Sequence, residues 1–166
     1  MQNRIANLLI EETRFRLLEE SIPRLRKCLS KLSQEEIWYR PNAHTISIGN
    51  LVLHLNGNVR QWLISGLGGA PDLRHRQQEF DEPGPFPTSE LREKLDKLEN
   101  DIEAILEGLS ASDLITERTI QGYKSSGVSI LVHVVEHFSY HVGQVTILVK
   151  SRKDLDMGYY AEKDLD

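Results

Sequence analysis

Apolar residues recur with a helical period along most of this chain. From about Asn3 to Leu32, Ile5, Leu8, Leu9, Phe15, Leu18 and Leu25 broadly follow a 3.6-residue repeat, which predicts an amphipathic first helix. Pro23 falls inside it; proline lacks an N–H and crowds the preceding turn, so a kink or break is expected near Ile22. Ser33-Gln-Glu-Glu36 reads as a capping box opening a short helical turn that carries Trp38, and Pro41-Asn42 as a loop. A second long helix is expected from about Ser47 to Ser65, through Leu51, Leu53, His54, Val59, Trp62 and Leu63. Gly66, Gly68, Gly69 and Pro71 stop it.

From Pro71 to Pro87 the chain is rich in proline and charge and reads as a long loop. Thr88-Ser-Glu-Leu91 opens a third helix that reaches Leu109, with Leu95, Leu98, Ile102, Ile105 and Leu106 inward and charges outward. Ser110 to Gly127 is a connection in which a short extended segment has room to form. A fourth helix runs from about Val128 to Val149, and the acidic stretch after Ser151 is expected to pack loosely. The fold class is therefore all-α, a four-helix bundle over residues 1–152 with a C-terminal tail at 153–166. In such bundles, metal sites are built from inward side chains on facing helices.

Composition narrows the function classes. A chain of 166 residues fits one domain with a well-buried core. Hydrophobic content of 39% and charged content of 27% match an ordinary globular protein. The net charge is −5, and Lys and Arg are interspersed with Asp and Glu, so no basic stripe marks a nucleic-acid partner. No run approaches the ~20 apolar residues that span a membrane. Cys28 is the single cysteine, which excludes an internal disulfide framework and a Cys-rich zinc finger. The first residues carry Arg4, Glu11, Glu12 and Arg14 rather than an apolar signal core, so a cytoplasmic protein is expected.

Histidine supplies the chemistry. Three of six histidines, His133, His137 and His141, stand four residues apart in the fourth helix, where i and i+4 share a face. Neutral imidazole is the commonest metal ligand, and an i, i+4 pair grips one ion from a single turn. A column of this kind drifts ~40° per four-residue step, and His133 and His141 lie ~12 Å apart along the axis. They cannot share an ion directly, so the pair is His133 with His137 or His137 with His141. His54, flanked by leucines in Leu51-Val-Leu-His-Leu55, is the leading third ligand, and its plain alternative is a hydrogen-bonded core residue. Three imidazoles from two helices suit Zn²⁺, with Ni²⁺ or Fe²⁺ as alternatives. His133-Val-Val-Glu-His137 also matches the H-x-x-E-H protease pattern, but a 19.0 kDa chain has no room for that scaffold.

The setting His137-Phe-Ser-Tyr-His141-Val-Gly-Gln144, with His54 upstream, resembles the DinB/YfiT-like superfamily of bacterial four-helix metalloproteins. Ser47-Ile-Gly-Asn-Leu51, Gly57-Asn58 and Arg74-His-Arg-Gln-Gln-Glu-Phe80 look like a DinB-like subfamily without an assigned function. The resemblance implies His54, His137 and His141 as metal ligands, with His133 one turn outside. Val142 stands where the family more usually has Arg. It further implies a homodimer and a thiol-dependent transferase or isomerase using bacillithiol, mycothiol or glutathione. A zinc-bound thiol loses its proton near neutral pH. Cys28 is remote in sequence, so a cosubstrate must supply that thiol.

The expected function is thus a metal-dependent thiol S-transferase acting on small electrophiles. Arg60, Arg74 or Arg76 is available to recognise a carboxylate on the thiol, Arg60 sharing a helix with His54 though not its face. Asn58, at i+4 from His54, and Gln144 are placed to orient ligands or waters. Trp38, Trp62, Tyr123 and Tyr140 are candidates for a pocket lining, or else core aromatics. Two alternatives remain: a metal-dependent hydrolase, for which Glu136 is the only acid in the cluster, and a non-catalytic stress-response binding protein with a vestigial site.

Overall fold

The structure, a computed structural model, describes residues 2–161 and 164, and at Gln2 the backbone alone. It is 68% helix and 5% strand, so the all-α expectation holds at the level of class. Helix α1 (Gln2–Arg14) passes through a π-helical segment (Phe15–Ser21) into α2 (Ile22–Leu29) without a break. The expected kink at Pro23 is replaced by this wider turn. The Ile22 N–H reaches back five residues to the Leu17 carbonyl, so the register shifts just where Pro23 has no N–H to offer.

Capping boxes set the next two starts. Helix α3 (Gln34–Trp38) opens on Ser33, whose N–H donates to Glu36 Oε2 at 2.8 Å while the Glu36 N–H donates back to Ser33 Oγ. Helix α4 (Ile48–Val59) opens on Ser47, which exchanges the same pair of bonds with Asn50, and continues as a second π-helical segment, Arg60–Ser65. The 71–87 stretch, expected as loop, contains a short helix, α5 (Arg76–Asp81). It has no apolar residue in the core, so apolar periodicity had nothing to register.

Helix α6 (Thr88–Gly108) is followed by α7 (Ala111–Ile115) and a hairpin of β1 (Glu117–Ile120) and β2 (Tyr123–Ser126). Its turn residues, Gln121 and Gly122, both have positive φ, as a two-residue hairpin turn matched to strand twist requires. Helix α8 (Gly127–Lys153) follows and is 27 residues long. The α2, α4, α6 and α8 segments pack around one core: α2 and α4 each contact both α6 and α8. Leu25, Leu55, Leu95, Leu98 and Phe138 are completely buried there. Each contributes about 1.5–3 kcal/mol by leaving water.

The stretch after Lys153, expected to pack loosely, docks instead. Met157 is buried, and the Tyr159 hydroxyl lies 2.9 Å from Thr146 Oγ1 and 3.3 Å from Cys28 Sγ. That expectation for 162–163 and 165–166 lies outside the described residues. No helix among the described residues is long and apolar enough to cross a membrane.

Candidate metal centre

Helix α4 brings His54, 5% exposed, against the face of α8 that carries His137 and His141. His54 Nε2 faces His137 Nε2 at 3.1 Å, and the ring centroids of His54 and His137 stand 5.0 and 4.6 Å from that of His141. One ligand nitrogen from each of the three lies within 4.8 Å of the others, so the group can hold a metal ion. A tetrahedral ion with bonds of ~2.0–2.1 Å separates its nitrogen ligands by about 3.3 Å, close to the His54–His137 spacing.

Hydrogen bonds fix which nitrogens are free. His54 Nδ1 lies 2.9 Å from Glu79 Oε2, and Arg74 grips the same carboxylate through Nε at 2.7 Å and Nη2 at 2.8 Å. Arg74 Nη2 also comes within 3.2 Å of His54 Nδ1, but two donors cannot bond each other. We therefore place the proton on Nδ1, donated to Glu79, which leaves the Nε2 lone pair aimed at His137. On α8, His141 Nδ1–H donates to Gln144 Oε1 at 2.7 Å, again leaving Nε2 free. A ligand histidine whose second nitrogen is tied to a carboxylate or amide is the usual arrangement around a protein-bound metal.

The electrostatics point the same way. Burial, reinforced by the charges of His141, His54, His133 and Arg74, pushes His137 down to about 3. His141 is also lowered, chiefly by burial, although its bond to Gln144 opposes the shift. Neutral imidazoles are the ligating form. Burial alone would raise the Glu79 carboxyl, but the bonds from Arg74 and His54 hold it below the ordinary range. His137 Nδ1 is the one ring nitrogen of the three that is buried without a partner, and Asn58 Oδ1 is likewise unpaired.

The remaining candidate residues separate. His133 stays outside the cluster: its ring stacks 4.2 Å from Trp62 and its Nε2 accepts from Asn58 Nδ2 at 3.3 Å. Asn58 therefore meets the histidine column through His133. Arg60 turns toward α6, donating to Asn56 Oδ1 and Asp101 Oδ2, and touches none of the three histidines. Arg74 is fully engaged by Glu79 and Gln61, with only 4% of its side chain exposed. Arg76 is exposed and sits 4.7 Å over the Phe80 ring, which stacks 4.8 Å from His54. Tyr140 flanks His141 at 5.0 Å, whereas Trp38 packs on Phe86 and Tyr123 is exposed. Glu136 is exposed.

Glu79 is the functional residue that sequence reasoning missed. It comes from the segment read as loop, twenty-five positions from its partner His54. A signal did exist in Gly57, one turn from His54 and inside α4, where glycine costs roughly 0.5–1 kcal/mol against alanine. A Cβ at this position would overlap the Glu79 carboxylate, with its carboxyl carbon 2.8 Å away. The segment is tied down by polar contacts: Asn50 Nδ2 donates to the Glu79 and Glu82 carbonyls, and Arg40 Nη2 to the Phe80 carbonyl.

Against known proteins, residues 5–159 match the family model described as "protein of unknown function (DUF1572)", and the chain belongs to that family. The match extends past residue 153 and includes the docked stretch that holds Met157 and Tyr159. None of the curated proteins matches the chain.

Proposed function

We propose that this chain is a four-helix-bundle metalloenzyme of the DinB/YfiT-like type, which binds one divalent ion, Zn²⁺ first, and transfers a low-molecular-weight thiol to small electrophiles. The observation that carries the reading is the trio of His54, His137 and His141, whose ligand nitrogens lie within 4.8 Å of one another. When bound, the ion supplies Lewis acidity that lowers the pKa of a thiol toward neutrality. The chain's own residues do the rest. Glu79 and Gln144 hold protons on the Nδ1 atoms of His54 and His141, so both rings present Nε2. Phe80 and Tyr140 pack their rings against His54 and His141. Arg76, which sits over the Phe80 ring beside His54, has no ion pair among the described residues.

One observation favours thiol transfer over hydrolysis. Hydrolysis at a metal is commonly assisted by a carboxylate base, as the protease pattern assumed for Glu136. Glu79 is the carboxylate in contact with the centre, and Arg74 holds it as an ion pair, ill-suited to accept a proton. A thiol already acidified by the ion needs no such base.

The test combines elemental analysis of protein purified without chelator with a screen of thiols against 1-chloro-2,4-dinitrobenzene. Thiol-dependent turnover that is lost in His137→Ala supports the reading. Turnover with water alone assigns a hydrolase instead, and stoichiometric metal without any turnover assigns the binding protein.

A further inference from the structure

A cavity with an apolar floor lies away from the three histidines. It measures about 440 Å³ and lies between α4 and the 70–86 segment, lined by neither His137 nor His141. That volume falls in the class of small-molecule sites, roughly 300–1,000 Å³. Its floor is apolar: Leu53, Ile64 and Phe86 are each only partly buried, and Leu73 at the rim is 81% exposed with nothing above it. An uncovered leucine beside a cavity with an apolar floor leaves hydrocarbon in water that an occupant would shield.

Charge is arranged unevenly around this floor. A second cavity of about 500 Å³ adjoins the first, and the two share Asn56, Arg60 and Lys94. Two cations therefore stand together at one end of the apolar surface. Lys94 has no ion pair among the described residues. Arg60 bonds Asp101 and Asn56 through Nη2 and Nε, which leaves Nη1 unused. The acids on the first cavity are already engaged. Asp72 accepts from Gln61 and from the Arg74 N–H, Glu79 is paired with Arg74, and Glu82 accepts from the Gly84 N–H. Glu90 and Glu93 line only the second cavity, on the far side of the two cations.

We propose that this cavity binds a small amphiphilic anion, its apolar body on Leu53, Ile64, Leu73 and Phe86 and its charged group at Arg60 and Lys94. The ligand class is a carboxylate or sulfonate with an apolar body about the length of a medium-chain acid. The inner wall is the Arg74–Glu79 pair, so the bound body lies on the outer side of the carboxylate that orients His54. The site does not depend on the metal reading, because no histidine of the trio lines it.

Titration of the protein as purified with 1-anilinonaphthalene-8-sulfonate, followed by fluorescence, tests this, with octanoate and octan-1-ol as competitors. We expect one saturable site, from which octanoate displaces the dye at about one-tenth the concentration octan-1-ol needs, as a charge-assisted bond predicts. Lys94→Gln should remove most of that preference. Leu73→Asp, a change at an exposed position, should weaken dye and octanoate about tenfold by placing a charge on the apolar rim. Non-saturable dye binding, equal competition by the acid and the alcohol, or unchanged octanoate affinity in both variants would overturn the proposal.

Discussion

Removing the negative charge at Glu79 should weaken zinc binding without removing a ligand. In Glu79→Gln, the amide oxygen can still accept from His54 Nδ1 at the 2.9 Å position, but the charge that favours the metal-bound ring is gone. Arg74, with 4% of its side chain exposed, loses its counter-charge. Loss of such an orienting partner typically costs about 10–100-fold in metal affinity, which is about 1.4–2.7 kcal/mol. Gly57→Ala gives the same perturbation by another route. Its methyl would displace the Glu79 carboxylate, while alanine inside α4 favours the helix by roughly 0.5–1 kcal/mol. Zinc affinity is read by competition with a chromophoric chelator, and fold stability by thermal unfolding of the metal-free protein. The expected combination for Gly57→Ala is weaker zinc binding with an unchanged or higher Tm. If both variants bound zinc within about twofold of the parent, Glu79 would have no part in orienting His54 and the reasoning would fail.

Three further outcomes are expected. His133→Ala should leave zinc affinity within about threefold, because its ring belongs to Trp62 and Asn58 and any effect on the ligands is indirect; a loss equal to that of His137→Ala contradicts this. The metal-free protein should lose stability as pH falls below about 6.5, the value for an unfolded histidine. The sign follows from His137, which is held down to about 3 in the fold, with His133 and His141 lowered in the same sense. Its contribution is complete above the unfolded value and is lost toward the folded one, at no more than about 1.4 kcal/mol per pH unit and less where water reaches the ring. Denaturant midpoints at pH 8, 6 and 5 measure it, and His137→Gln should flatten the profile. Leu95→Ala, at a fully buried position of α6, should cost about 2–5 kcal/mol in denaturant unfolding, and a cost under 1 kcal/mol would misplace the core.

What the sequence could reveal follows from the range of each interaction. Helix existence and the Ser33 and Ser47 starts were legible because a repeat and a capping box are local patterns, complete within a few residues. The two lower histidines of α8 share a face for the same reason, and it is these two that come together with His54 in a group able to hold an ion. The π-helical segments were not legible, since they depend on which carbonyl a given N–H finds after packing. The 71–87 segment was misread because α5 is anchored by polar bonds from Arg40 and Asn50 rather than by an apolar stripe. Arg60 looked like a site residue by sharing a helix with His54, but helical phase sends it to Asp101 on α6. Glu79 reaches His54 through a chain reversal that no local pattern encodes, and the bare Gly57 in a helix was its physical trace.

His54, His137 and His141 are proposed to form one metal site to which His133 does not belong. Metal content by elemental analysis, on the parent chain and on His133→Ala and His137→Ala purified without chelator, tests it most directly. We expect about one divalent ion per chain in the parent and in His133→Ala, and almost none in His137→Ala. A parent chain without stoichiometric metal after incubation with zinc, or a His137→Ala variant that keeps its ion, would contradict the account.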